Sequence, residues 1–104
     1  MNLAAFRKRY PERTVAAGRL KWGVIEVAGK KGQPTLVLVP GTLGVADIFW
    51  NQIVALKGKA RILAITVPPS LSIVKLAEGL KGLFDKLEVD KAHLLGSSLG
   101  GFLI

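Results

Sequence analysis

The sequence predicts an α/β fold: about five strands, mostly parallel, with two crossover helices and the start of a third. Three observations carry this. Apolar runs such as "TLVLV" and "RILAI" show no polar alternation, which marks strands buried on both faces. These runs alternate with stretches of helical periodicity, the order that parallel strands and crossover helices produce. Glycine-rich loops, "PGTLG" and "GSSLGG", follow two of the runs, where ligand sites form in such sheets.

Residues 1–13 read as a polar lead-in. Thr14 to Gly29, "TVAAGRLKWGVIEVAG", reads as two short strands, with Trp22 and Val24 inward and Glu26 outward. "KKGQP" is a turn, rich in charge, glycine and proline. "TLVLV" (Thr35 to Val39) is a buried strand stopped by Pro40 and Gly41. "GTLGVAD" is a loop whose last residue, Asp47, suits a helix N-cap. Phe49, Ile53 and Leu56 then fall at helical spacing, and Gly58 ends that helix. "ARILAITV" is the next buried strand, stopped by Pro68 and Pro69. Ser72 suits the cap of a second helix, whose apolar face is Ile73, Leu76, Ala77, Leu80, Leu83, Phe84 and Leu87. "AHLLG" (Ala92 to Gly96) is the last strand, and a further helix would begin at Gly100.

Composition narrows the function classes. With no cysteine, disulfides and thiolate metal sites are excluded. The apolar runs fall short of a membrane span, so no transmembrane segment is expected. The first residues hold only a four-residue apolar run and no serine. The apolar run is too short for a secretory signal. An organellar presequence is conceivable, since Arg7, Lys8 and Arg9 precede any acid, but it should also be serine-rich, and a cytoplasmic protein is the default. The net charge is +8, yet no basic stripe is interleaved with aromatics. A solvated basic surface is expected, without a nucleic-acid partner.

"GSSLG" fits G-x-S-x-G, with Gly96, Ser98 and Gly100 in the fixed places. A serine nucleophile must sit on a sharp strand-to-helix turn in a strained conformation. The chain packs so closely there that the positions two before and two after must be tiny. The helix that follows aims its N-terminal N–H groups at developing negative charge. The alternative is a glycine-rich turn that only packs. The buried strand before the motif and the apolar "GFLI" after it favour the nucleophile turn.

"PGTLG" gains meaning beside that serine. Acyl transfer needs two oxyanion donors: the N–H after the nucleophile and one from the loop after an earlier strand. Leu99 N–H is the first candidate and Thr42 N–H the second. Taken alone, "PGTLG" reads equally well as a plain strand-to-helix loop.

Nucleotide readings fail on spacing: Phe102 stands where a P-loop needs lysine, and the three-glycine dinucleotide pattern is absent. Gly41 and Gly44 fit a G-x-x-G nucleic-acid loop, a match too short to carry weight. His93 lies five residues before Ser98, on the strand leading to it, over a dozen ångströms away at roughly 3.3 Å per residue, out of reach as its base. Trp22 and Trp50 read as packing residues.

Together these pieces resemble the N-terminal portion of an α/β-hydrolase fold, best from Thr35 to Ile104. "GVADIFWNQIVAL" and "DKAHLLGSSLGGFL" are similar to the maspardin-like branch and its bacterial relatives. The resemblance implies strand order 1-2-4-3-5, Ser98 as nucleophile, and Leu99 and Thr42 as oxyanion N–H donors. Pro40-Gly41 stands where many members have His-Gly. It implies an esterase-like serine hydrolase acting on a small-molecule ester-like substrate, with no metal or organic cofactor. It also implies an alternative: a non-catalytic protein-binding or scaffold protein on the same fold, with a protein partner.

The family's acid and histidine follow the serine in the chain. No Asp, Glu or His follows Ser98 here. The expectation is therefore a partial α/β-hydrolase domain over residues 1–104. Its C-terminal half would lie beyond the sequence, and the 104 residues alone would be inactive.

Overall fold

The computed structural model describes residues 2–40, 45–68, 73–89 and 92–96. One five-stranded sheet runs in the order β1-β2-β4-β3-β5, the order the family resemblance implies. Its strands are β1 (Arg13–Ala17), β2 (Leu20–Val27), β3 (Thr35–Val39), β4 (Arg61–Thr66) and β5 (His93–Gly96). β3 pairs in parallel with β4 and with β5, whereas β2 is antiparallel to both β1 and β4. Only β2 therefore runs against the rest.

Strict period-two alternation divides the core between the two faces. Trp22, Val24, Val37, Val39, Leu63 and Ile65 point to one face. Helix α3 (Ile73–Lys86) covers it with Leu76, Leu80 and Leu83. Ile25, Val27, Leu38, Ile62 and Ala64 point to the other, under Phe6, Phe49 and Ile53. Helix α2 (Trp50–Leu56) supplies Ile53, and Leu56 packs at its margin. Burying residues on both faces is what the unbroken apolar runs required. Of the apolar face expected on α3, Ala77 is exposed and Phe84 half-buried.

Three expectations need correction. Glu26, expected outward, shares the face of Trp22 and Val24, since it lies an even number of residues from both and pairs with Leu63 of the same cluster. The stretch read as a polar lead-in contains helix α1 (Leu3–Arg9), and its Phe6 is fully buried. Asn2 caps it, accepting from the Ala5 N–H at 2.9 Å. Phe6 stacks obliquely near Tyr10 and Trp50, with ring centroids 5.3 and 6.3 Å away. This helix hides in the sequence because one aromatic carries its burial. Asp47, expected as the cap of α2, does not cap. It lies inside a 3-10 turn, Ala46–Phe49, that precedes α2 and has Val45 at its cap position. The Asp47 carboxylate instead accepts from Arg7 at 2.6 Å. Gly58 does end α2, in the left-handed conformation at φ 84°. Ser72, the expected cap of α3, lies outside the described residues, as does the helix expected from Gly100.

The β1–β2 hairpin turns through Gly18 and Arg19, both at positive φ (60° and 62°), as a tight two-residue hairpin loop requires. Glycine here also admits α3: a Cβ on Gly18 would lie 2.6 Å from the Gly79 Cα. A Cβ on Gly79 would lie 2.9 Å from Cζ2 of Trp22. Gly79→Ala recovers roughly 1 kcal/mol of helix propensity but overpacks a buried ring at a cost of about 1–3 kcal/mol. The expected result is a net loss of about 1 kcal/mol, read as a lower melting temperature by circular dichroism. A raised melting temperature would show that Trp22 has room to shift.

Candidate active site

The parallel ladder fixes where the two glycine-rich loops start. β3 and β5 pair in register from Leu36 opposite His93 to Val39 opposite Gly96. Val39 is the last residue of β3 and Gly96 the last of β5. "PGTLG" therefore leaves the sheet beside the strand that runs into "GSSLG", at the same carboxyl edge. Neighbouring strands lie about 4.8 Å apart. A site assembled from the two loops needs this adjacency. Thr42, Ser98 and Leu99 themselves lie outside the described residues.

His93 opens β5, at the opposite end of the strand from Gly96. The separation is three residues, or about 10 Å. This agrees with the reading that His93 is not the base for a serine beyond Gly96. Trp22 is fully buried beneath α3, and its Nε1–H donates to the Ala17 carbonyl at 3.1 Å. It is a packing residue. Trp50 is half-buried beside Phe6.

The carboxyl edge carries polar groups that the sequence did not single out. Thr66 ends β4, next to β3, and sits opposite Gly23 of β2. The Thr66 hydroxyl donates to Glu12 Oε1 at 2.6 Å and accepts from the Ala46 N–H at 2.7 Å. Glu12 precedes β1, and Ala46 opens the 3-10 turn that follows "PGTLG". Beside them, the Arg7–Asp47 ion pair ties α1 to the same turn. Arg7, Tyr10, Glu12, Ile25, Val45 and Asp47 line a hollow of about 360 Å³. The only local hint was Gly23, a glycine within an apolar strand, which often marks a close approach. A larger hollow, about 800 Å³, is lined by residues including Arg9, Arg13, Glu26 and Lys57. Its wall runs along β2 from Val24, opposite Ile65, to Val27, opposite Ile62.

Among the described residues no group of three or more His, Asp or Glu is placed to hold a metal ion. Among the same residues, no helix is long and apolar enough to cross a membrane.

No family model matches the chain. It is 36% identical over 83 residues to maspardin of Rattus norvegicus, a match covering 79% of this chain and 32% of maspardin. It is 32% identical over 87 residues to carboxylesterase YbfK of Bacillus subtilis, covering 74% of this chain and 29% of that protein. The crystal structure of a membrane phospholipase A, a bacterial virulence factor, superposes with a TM-score of 0.81 at 23% identity. That superposition covers 97% of this chain and 37% of the phospholipase chain. This chain thus spans about a third of the length of the relatives it matches.

Proposed function

The chain belongs to the α/β-hydrolase superfamily, near its maspardin branch, and on that premise we propose that it carries the nucleophile and oxyanion loops of a serine hydrolase. The reading treats residues 1–104 as the N-terminal part of one hydrolase domain. The acid and histidine come from sequence C-terminal to Ser98, following family order. The substrate is a small molecule with a carboxylic ester or related acyl bond, and the protein works in the cytoplasm.

The observation that carries this reading is the in-register pairing of Val39 with Gly96. It puts the ends of β3 and β5 side by side, and in the sequence each strand runs directly into one of the two glycine-rich stretches. The similarity to a carboxylesterase supports the same chemistry.

In the proposed mechanism, the histidine takes the Ser98 hydroxyl proton as Oγ bonds to the acyl carbon. The carbonyl π electrons move onto oxygen, where the Thr42 and Leu99 N–H groups receive the charge. Collapse re-forms the carbonyl and breaks the bond to the leaving alkoxide, which takes the proton from histidine. Water then repeats the sequence on the acyl-serine, releasing the acid and restoring Ser98.

A fluorophosphonate probe tests this on the full-length protein. Labelling at Ser98, blocked by competing ester, is the expected result. An unlabelled protein that is folded would refute the serine-hydrolase reading. It would favour a second one, a non-catalytic protein-binding or scaffold role on the same fold, which the maspardin similarity supports. The isolated 104 residues are expected to show no Ser98-dependent esterase activity, because residual oxyanion catalysis needs an intact pocket. Hydrolysis of p-nitrophenyl acetate by these residues, abolished in Ser98→Ala, would show that some other group serves as base.

A further inference from the structure

We propose that Glu12 is a positioning residue for the loop that carries Thr42, acting through the Thr66 hydroxyl on the Ala46 N–H. The proposal rests on the serine-hydrolase reading above and adds to it a device outside the two glycine-rich loops.

The first N–H groups of a helical turn have no partner within the turn. A serine, threonine or aspartate at the cap position usually supplies one. Val45 occupies that position here and offers no side-chain hydrogen bond. Ala46, fully buried, is instead served from another strand: its N–H donates to Thr66 Oγ1 at 2.7 Å. Thr42 lies four residues earlier in the chain, so this bond pins the far end of its loop. The near end is fixed by Val39 in the β3–β5 ladder.

Glu12 sets the polarity of the bond. A hydroxyl carries one proton and can point it either way. An ionised carboxylate only accepts, so Glu12 Oε1 at 2.6 Å draws the Thr66 proton to itself. The lone pairs of Oγ1 are then left for Ala46. Donation to a charged acceptor is the stronger kind of hydrogen bond, and it makes the hydroxyl a better acceptor in turn.

Gly23 gives independent support. It faces Thr66 across the β2–β4 ladder. A Cβ there would lie 2.6 Å from Glu12 Cδ and 2.8 Å from Thr66 Cβ. The strand leaves out a side chain where the carboxylate lies. An oxyanion donor must be in place before charge develops, so an anchored loop has catalytic value beyond its contribution to folding.

The test uses the full-length protein and an activated ester. Thr66→Val keeps the shape and removes the hydroxyl, whereas Thr66→Ser keeps the hydroxyl. Thr66→Val is expected to lower kcat by about 10- to 100-fold, the scale of a small displacement of a catalytic group. KM should stay unchanged, and amides of residues 45–49 should exchange faster with solvent. Thr66→Ser should restore both rate and protection. If Thr66→Val fails to fold, the exposed Glu12→Gln replaces it, with an expected loss in kcat of about 3- to 10-fold. Suppose the parent labels at Ser98 but these variants keep its kcat, or lose activity through KM alone. The positioning role is then overturned and the hydrolase reading stands. If the folded parent does not label at Ser98, the hydrolase reading falls and the positioning role falls with it.

Discussion

Ser98→Ala in the full-length protein is expected to lower kcat for ester hydrolysis by about 10⁴- to 10⁶-fold, with KM nearly unchanged. At 25 °C that is roughly 5–8 kcal/mol of lost transition-state stabilisation. The size follows from the role. Removing the nucleophile deletes the acyl-enzyme route, and the remaining groups give only the slow catalysis of an oxyanion hole and a binding pocket. Ground-state binding does not use the serine oxygen in this way, so KM is spared. Thr42 should behave differently, because its proposed donor is a backbone N–H that Thr42→Ala retains. Steady-state kinetics on both variants checks the pair. A Ser98→Ala protein with parental kcat would mean that a different group attacks the substrate.

Trp22→Ala is expected to destabilise the fold by about 3–5 kcal/mol, a large part of the stability of an ordinary domain. Trp22 is fully buried between β2 and α3, in the same cluster as Leu76, Leu80 and Leu83. Its ring faces Gly79, and its Nε1–H satisfies the Ala17 carbonyl. Truncation opens a cavity, leaves that carbonyl without its indole donor and loosens the hairpin from the helix. Trp22→Phe keeps most of the packing and should cost less, about 0.5–1.5 kcal/mol, chiefly for the lost indole hydrogen bond. Urea unfolding followed by far-UV circular dichroism measures both. A Trp22→Ala protein of parental stability would contradict its assignment as a core residue.

The parts of the fold that read well from the sequence are those where one physical signal dominates. "TLVLV" and "RILAI" are strands because a sheet covered on both faces demands unbroken apolar runs, and both faces of β3 and β4 are covered. Leu76, Leu80 and Leu83 read as a helix face because their spacing matches the helical period. Strand order came from the family resemblance, since local pattern does not say which strands become neighbours.

Two of the misses have a common cause. Asp47 is a good cap by residue type, but Arg7, 40 residues away, holds its carboxylate. The Glu12–Thr66 bond joins residues 54 apart. Neither partner advertises the other in a linear pattern. For the candidate site, the sequence supplied the motif and the structure supplied the adjacency of the strands that lead to it. The network bracing the turn after "PGTLG" emerged only in three dimensions.

Acyl transfer at Ser98 requires the two loops to meet over one reacting atom. A crystal structure of the full-length protein after reaction with a fluorophosphonate measures this directly. The prediction is a phosphonyl group bonded to Ser98 Oγ, with one phosphonyl oxygen about 2.7–3.1 Å from both the Thr42 and Leu99 amide nitrogens. An adduct on another residue, or a phosphonyl oxygen that neither amide reaches, would contradict it.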